Sequence, residues 1–233
     1  MLIFFLLFVL TLMGTLYGRS KYRRIYDEEM KNLSPSGLTG EILARRILEA
    51  AGINDVEIVR KAGLFADFYN PEKKRLSLAP QHFGGSTYSA LGVAAHEVGH
   101  AIQQREGYRP LKWRLSAVRA SMYLTLPVVV IGGVMAVVSK AGVLMLVVSW
   151  TLLSAYNLVT MPIELDASER SKKFLRDMKP FANYDERVGV EKMMRVAPAA
   201  YIEGLFTVLS WLGSLLIPHL GGDDSQDEKK EEK

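Results

Sequence analysis

Leu91-Gly92-Val93-Ala94-Ala95-His96-Glu97-Val98-Gly99-His100-Ala101-Ile102 carries two histidines four residues apart, with a glutamate directly after the first. Residues four apart lie one above the other on a helix, so His96 and His100 there present two imidazoles on one face. The flanks favour a helix. Ser86 and Thr87 are N-cap candidates, and Leu91, Val93, Ala94, Ala95, Ala101 and Ile102 make the segment mostly apolar. Two titratable imidazoles and a carboxylate in such a setting are costly unless something uses them. The spacing suits a pair of metal ligands, and Glu97 stands where it can take a proton from a metal-bound water. Five-residue matches do arise by chance, and a lone buried histidine is more often a hydrogen-bonded core residue. Here spacing, glutamate and apolar setting coincide, which points to zinc.

The composition narrows the ligand set. The 233 residues include no cysteine, so there is neither a disulfide framework nor a thiolate ligand. The four histidines are His82, His96, His100 and His219, so a third ligand is expected from a carboxylate. The length permits one or two domains. The net charge of +4 is modest, and its arrangement in blocks between uncharged runs points to a lipid bilayer as partner rather than to nucleic acid.

Residues 1–18 carry no charge and are mostly Leu, Phe, Val and Ile, just enough to cross a bilayer. A signal peptide would have positive charge before that run and a small-residue cleavage site after it. Instead Arg19, Lys21, Arg23 and Arg24 follow and no A-x-A site appears, so a retained anchor over 1–18 is expected. Pro35 and Gly37 mark a turn. Leu38, Ile42, Leu43, Ile47 and Leu48 then predict an amphipathic helix over 38–51, with Gly52 as its C-cap. Val56, Ile58, residues 64–69 and the alternation Arg75-Leu76-Ser77-Leu78 predict a small antiparallel sheet with a turn over 70–74. Such a sheet either offers an edge strand to an extended substrate or only shields the metal helix. His82, in a loop before that helix, is a further candidate ligand or acid, although a loop histidine is more often simply solvated.

Beyond the motif, residues 103–119 are polar and basic, and Trp113 among them suits a membrane interface. Residues 120–139 and 141–163 are uncharged around Lys140, and each is about long enough to span. The expected organisation is an anchor over 1–18, a cytoplasmic metal-binding region over 19–115, a transmembrane hairpin over 116–163 and a cytoplasmic helical region over 164–203. A transmembrane or interfacial helix follows over 204–222, then a disordered charged tail over 223–233. Residues 19–119 hold seventeen Lys and Arg and residues 164–203 hold eight, together twenty-five of twenty-nine, which places both regions inside by the positive-inside rule.

A hairpin returns the chain to the side it left, next to Met161-Pro162-Ile163-Glu164-Leu165-Asp166-Ala167-Ser168-Glu169-Arg170. Pro162 suits a first helical turn, which makes Glu164 the first carboxylate out of the membrane. Two histidines and a glutamate, with water in the fourth position, form a catalytic zinc site. Asp166 and Glu169 are rivals within about a turn. Acids near a helix start also favour the macrodipole without any ligand role.

The stretches Gly92-Val93-Ala94-Ala95-His96-Glu97-Val98-Gly99-His100-Ala101-Ile102-Gln103 and Pro162-Ile163-Glu164-Leu165-Asp166-Ala167-Ser168 resemble the two signatures of the YugP-like neutral zinc metallopeptidases, which are bacterial multi-pass membrane proteins. The segment from Ser36-Gly37-Leu38-Thr39-Gly40 through Arg45-Arg46-Ile47-Leu48 is similar to that family's first soluble helix, and the resemblance covers the chain except its tail. It implies Glu164 as third ligand. Family members carry histidines in the strand near Asp67, where this chain has Leu64-Phe65-Ala66-Asp67-Phe68-Tyr69.

The expected fold is therefore a mainly α membrane protein with three to four transmembrane helices and a cytoplasmic α+β zincin-like catalytic domain carrying a small antiparallel sheet. The expected function is that of a gluzincin-like zinc metalloendopeptidase binding one Zn2+ through His96, His100 and Glu164, with Glu97 as general base. Tyr69, His82, Tyr156, Arg170 and Tyr201 are candidate oxyanion stabilisers. Expected partners are peptide or membrane-protein substrates, the bilayer and a membrane-protein partner. The rival from another class is a zinc-stabilised membrane scaffold or adaptor without turnover. Glu97 argues against it, because a structural site has no use for a general base. A small-molecule metallohydrolase has no specific support, and a transporter is disfavoured by the scarcity of ionisable residues in the expected spans.

Overall fold

In the computed structural model, which describes residues 2–63, 66–120, 126–136 and 138–199, the motif lies on helix α4 (Tyr88–Arg105). Thr87 is its N-cap, accepting from the Ala90 N–H at 3.2 Å, which satisfies one of the donors a helix start leaves open. Every α4 residue from Tyr88 to Gln103 is buried, so the helix is a central strut rather than a surface element.

The other elements, in chain order, are α1 (Leu2–Glu29), α2 (Gly40–Ala50), β1 (Glu57–Arg60), β2 (Phe68–Asn70), β3 (Arg75–Leu78) and α3 (Pro80–Phe83) before α4. After it come α5 (Pro110–Ala120), α6 (Leu126–Ala136), α7 (Lys140–Met178) and α8 (Tyr184–Val196), closed by a 3-10 turn at Ala197–Ala199. Leu43, Ala44, Ile47 and Leu48 of α2, Leu76 and Leu78 of β3, Leu175 of α7 and Val190 and Met194 of α8 pack around α4 in one apolar core. Tyr22 and Ile25 of α1 join Val93, Met193 and Val196 in a second cluster.

Two glycines let α4 approach its neighbours. A Cβ at Gly92 would lie 2.6 Å from Met193 Cβ on α8, and one at Gly99 would lie 2.0 Å from the Ala167 carbonyl oxygen on α7. A side chain at either position would separate the helices. Gly99 thus sets the distance between the histidine helix and the helix that carries Glu164.

The amphipathic helix forms as its periodicity predicts. Thr39 caps α2, and Gly52, at φ +66°, follows its end and donates to the Glu49 carbonyl at 2.9 Å. The sheet departs from expectation. It is mixed rather than antiparallel: β3 lies between the other two, parallel to β1 and antiparallel to β2. The β2–β3 turn is held by Asn70 Oδ1, which accepts from the Glu72 and Lys73 amides at 3.0 and 3.1 Å. Strand periodicity revealed the three segments, but the insertion of β3 between them is a tertiary choice.

The expectation of three to four transmembrane helices is overturned. Among the described residues, no helix is long and apolar enough to cross a membrane. The length of an uncharged run does not fix the length of the helix it forms. Helix α6 has only 11 residues, about 16 Å at 1.5 Å per residue, against a hydrocarbon core of about 30 Å. The inside–outside assignment from basic residues rested on those spans and goes with them. Pro162 does not open a helix either: α7 runs unbroken through it for 39 residues. The expected run 204–222 and the tail 223–233, with Tyr201 and His219, lie outside the described residues.

Candidate metal centre

Helices α4 and α7 bring His96, His100 and Glu164 together. One ligand atom from each lies within 4.8 Å of the others. Glu164 Oε2 is 3.3 Å from His96 Nε2 and 3.3 Å from His100 Nε2. Around a tetrahedral zinc with bonds of about 2.0–2.1 Å, adjacent ligand atoms stand about 3.3–3.4 Å apart. The spacing therefore fits zinc. Chemistry agrees with distance. His100 is fully buried, and its Nε2 makes no hydrogen bond, so a buried polar atom is left facing a carboxylate oxygen. Such atoms are rare in folded proteins unless an ion or water completes them.

The carboxylate is held from outside by Arg114 of α5, whose Nε donates to Glu164 Oε1. Burial alone would push the Glu164 carboxyl up. Arg114 and the two imidazoles outweigh it and hold the group well below the usual carboxylate range, so Glu164 is an anion ready for a cation. Sequence reasoning missed Arg114, and no pattern could have found it: it lies fifty residues from Glu164 in a stretch whose charge reads as surface. Gln103 and Ser168 were also without an assigned role. Gln103 Oε1 lies 2.9 Å from His100 Nδ1, and Ser168 Oγ lies 2.8 Å from His96 Nδ1. Their signal was the helical spacing, three residues after His100 and four after Glu164.

Glu97 is buried beside the two histidines and accepts a hydrogen bond from the Tyr69 amide at 3.0 Å. The sheet thus touches the site through the backbone of β2. Tyr69 stands opposite Leu76, and its amide points away from β3, toward α4. The Tyr69 phenol is turned elsewhere, to Gln104 Oε1 at 2.5 Å.

Of the other candidates whose side chains are described, none is brought to the centre; the Tyr156 side chain is not among them. Asp166 Oδ2 accepts from Gln103 Nε2 at 2.7 Å and from Arg170 Nε at 2.5 Å, so it stands behind a ligand rather than among them. Glu169 pairs with Lys172 at 2.6 Å with its side chain exposed. Arg170 is engaged by Asp166 and Glu106 and lies over the Tyr108 ring. His82 is neither ligand nor solvated. It is buried, with Nε2 2.8 Å from Tyr26 Oη and Nδ1 2.9 Å from Asp67 Oδ2, and it ties α1 to the start of β2.

A buried histidine pair and glutamate, spaced for a tetrahedral cation with a second carboxylate alongside, define a zinc-hydrolase type of centre. The profile of the family described as "Putative neutral zinc metallopeptidase" matches residues 1–218, and the chain belongs to that family. It is 29% identical over 229 residues to "Putative membrane protease YugP" of Bacillus subtilis (strain 168), covering 96% of this chain and 99% of that protein. No solved structure matches the chain. The family implies a zinc cofactor, and His96, His100 and Glu164 are placed to hold it.

Proposed function

We propose that this chain is a zinc metalloendopeptidase that cleaves peptide substrates at a membrane surface, with His96, His100 and Glu164 as ligands and Glu97 as general base. The observation that carries the reading is the convergence of two imidazole Nε2 atoms and one carboxylate oxygen at 3.3 Å, beside a second carboxylate that belongs to none of them. Zinc bound there supplies Lewis acidity to the scissile carbonyl and acidifies the attacking water. Glu97 takes the proton of that water and delivers it to the leaving amine. The Tyr69 amide aims Glu97 and keeps its carboxylate from turning away from the site. Arg114 balances the charge of Glu164 and holds its second oxygen outward.

The membrane part of the reading is supported by the printed name of the Bacillus relative and by the surface. Leu6, Leu10, Met13 and Tyr17 form an exposed apolar stripe on α1, and Ile131, Val138, Val143 and Leu144 are exposed on and around α6 and the start of α7. Contiguous exposed apolar surface marks a contact with lipid or protein. Substrates held at the same surface are then favoured. Equal cleavage of peptides with and without a lipid anchor, in reconstituted bilayers, would count against that preference.

The test of the chemistry pairs zinc content with cleavage of a peptide library for the wild type and Glu97→Gln. About one zinc per chain in both, with cleavage by the wild type alone, is the expected outcome. Zinc in both and cleavage by neither would favour a metal-stabilised scaffold. Absence of zinc from both would overturn the metal assignment itself.

A further inference from the structure

An imidazole can offer its Nε2 lone pair to a cation only when its proton sits on Nδ1. Two side chains outside the ligand set decide where those protons sit. Ser168 Oγ is 2.8 Å from the Met194 carbonyl oxygen and 2.8 Å from His96 Nδ1. A carbonyl only accepts, so the single hydroxyl proton goes to Met194, and the serine oxygen faces His96 as an acceptor. His96 Nδ1 must then carry its proton. Gln103 repeats the arrangement for His100 with an amide. Its Nε2 lies 2.7 Å from the Ile163 carbonyl oxygen and 2.7 Å from Asp166 Oδ2, which uses both amide protons. Arg170, donating to the same Asp166 oxygen at 2.5 Å, favours that carboxylate as an anion and acceptor. The Gln103 amide therefore cannot be turned round, and its Oε1 accepts from His100 Nδ1 at 2.9 Å.

We infer that Ser168 and Gln103 are positioning residues that keep a proton on Nδ1 of His96 and His100 and fix both rings, so that Nε2 of each is the atom turned to the metal. The arrangement is built from three elements: Ser168 on α7 is fixed by α8, and Gln103 on α4 is fixed by α7. Each Nε2 lies 3.3 Å from Glu164 Oε2, so a proton held between them is the one a cation displaces. The inference rests on the zinc reading only for the identity of the cation; the hydrogen bonds at Nδ1 belong to the metal-free protein.

The experiment uses metal-free full-length protein with 15N-labelled histidine. Long-range proton–nitrogen couplings then report the tautomer of each of four imidazoles. The wild type is expected to show Nδ1–H at His96 and His100. Ser168→Ala should release His96 alone and Gln103→Leu should release His100 alone. Each should weaken zinc binding, measured by competition with a chelator, by about 10–100-fold. Ser171→Ala is the structural control. It deletes a buried serine hydroxyl that bonds the Ala95 carbonyl at 2.5 Å on the same helix pair and should leave zinc affinity unchanged. A bare Nδ1 at either histidine in the wild type, with the ring neutral and protonated on Nε2, overturns the inference, and that spectrum suffices if a variant does not fold. A variant that melts lower while its Nδ1 protons and zinc affinity stay as in the wild type overturns it too. Wild-type protein with both Nδ1 protons but no zinc binding would instead refute the zinc reading and leave this one standing.

Discussion

Gly99→Ala asks whether helix spacing sets the metal geometry. A Cβ at Gly99 would lie 2.0 Å from the Ala167 carbonyl oxygen, 2.5 Å from the carbonyl carbon and 3.0 Å from Cα. All three are backbone atoms of α7, so no rotamer relieves the contact. Reaching an ordinary contact of 3.4 Å requires α4 and α7 to part by about 1.4 Å at this point. Gly99 adjoins His100, and Ala167 is three residues beyond Glu164, so the displacement falls on the ligand set. Alanine is the better helix former by about 1 kcal/mol, so without the clash the change would stabilise the protein. Overpacking costs about 1–3 kcal/mol, and a backbone contact belongs at the upper end, which leaves a net loss of about 2 kcal/mol. At about 2–4 °C per kcal/mol for a chain of this size, the melting temperature should fall by about 4–8 °C. Displacement of a reacting geometry by about 1 Å costs about 100-fold, so peptide cleavage should drop by that order and zinc affinity with it. Thermal unfolding and chelator competition on the same preparation test both. A variant that melts at or above the wild type with unaltered zinc affinity would refute the claim that Gly99 sets the spacing. Gly133→Ala, whose Cβ meets nothing within 4 Å, is the matched control and should be neutral or slightly stabilising.

The remaining predictions concern charge, capping and metal. Arg114→Ala leaves the Glu164 carboxylate without its guanidinium, so the metal-free protein should melt lower while added zinc restores more stability than in the wild type; equal zinc-induced shifts would contradict the pairing. Burial, and less strongly Asp55, push the Tyr69 phenol from 10.0 up to about 12. Its folded value is raised, so its stabilising contribution is fully present below pH 10.0 and is lost as pH rises through about 12. Tyr69→Phe should shrink the loss of stability across that window in alkaline unfolding. Thr87→Ala removes the α4 cap and should cost about 1 kcal/mol in denaturant unfolding, with the slope unchanged. Stripping zinc with a chelator should lower the melting temperature of the wild type and have little effect on a His96→Ala variant.

Local features were legible wherever the signal was local. The capped apolar helix around His96 and His100, the periodicity of α2 with Gly52 past its end, and the turn at Asn70 all follow from spacings within a few residues. A carboxylate was expected as third ligand because the chain holds no cysteine, and only the family resemblance singled out Glu164 from Asp166 and Glu169. The membrane spans were misread because an uncharged run was taken as one helix of the same length, whereas helix length is set by where the chain turns, and α6 has only 11 residues. The antiparallel sheet was misread because pattern identifies strands without ordering them. His82 was read as a loop residue because burial is a property of what packs against it, here Tyr26 of α1 and Asp67 before β2.

Taken alone, the sequence determined the chemistry on offer: two imidazoles on one helical face, a carboxylate beside them, carboxylates as the remaining ligand type, and zinc as the metal that suits the set. These follow from covalent spacing on a helix of fixed pitch, which needs no partner. The tertiary structure decided the rest. It chose Glu164 over Asp166 and Glu169, set Arg114 against it, turned the Tyr69 amide onto Glu97, and seated Ser168 and Gln103 behind the two ligands. All of those contacts except Gln103 to His100 join residues on different elements, and Gln103 is itself held by α7. The distances between them depend on how closely α4 and α7 pack, and that is set by a missing side chain at Gly99 rather than by any residue that does chemistry.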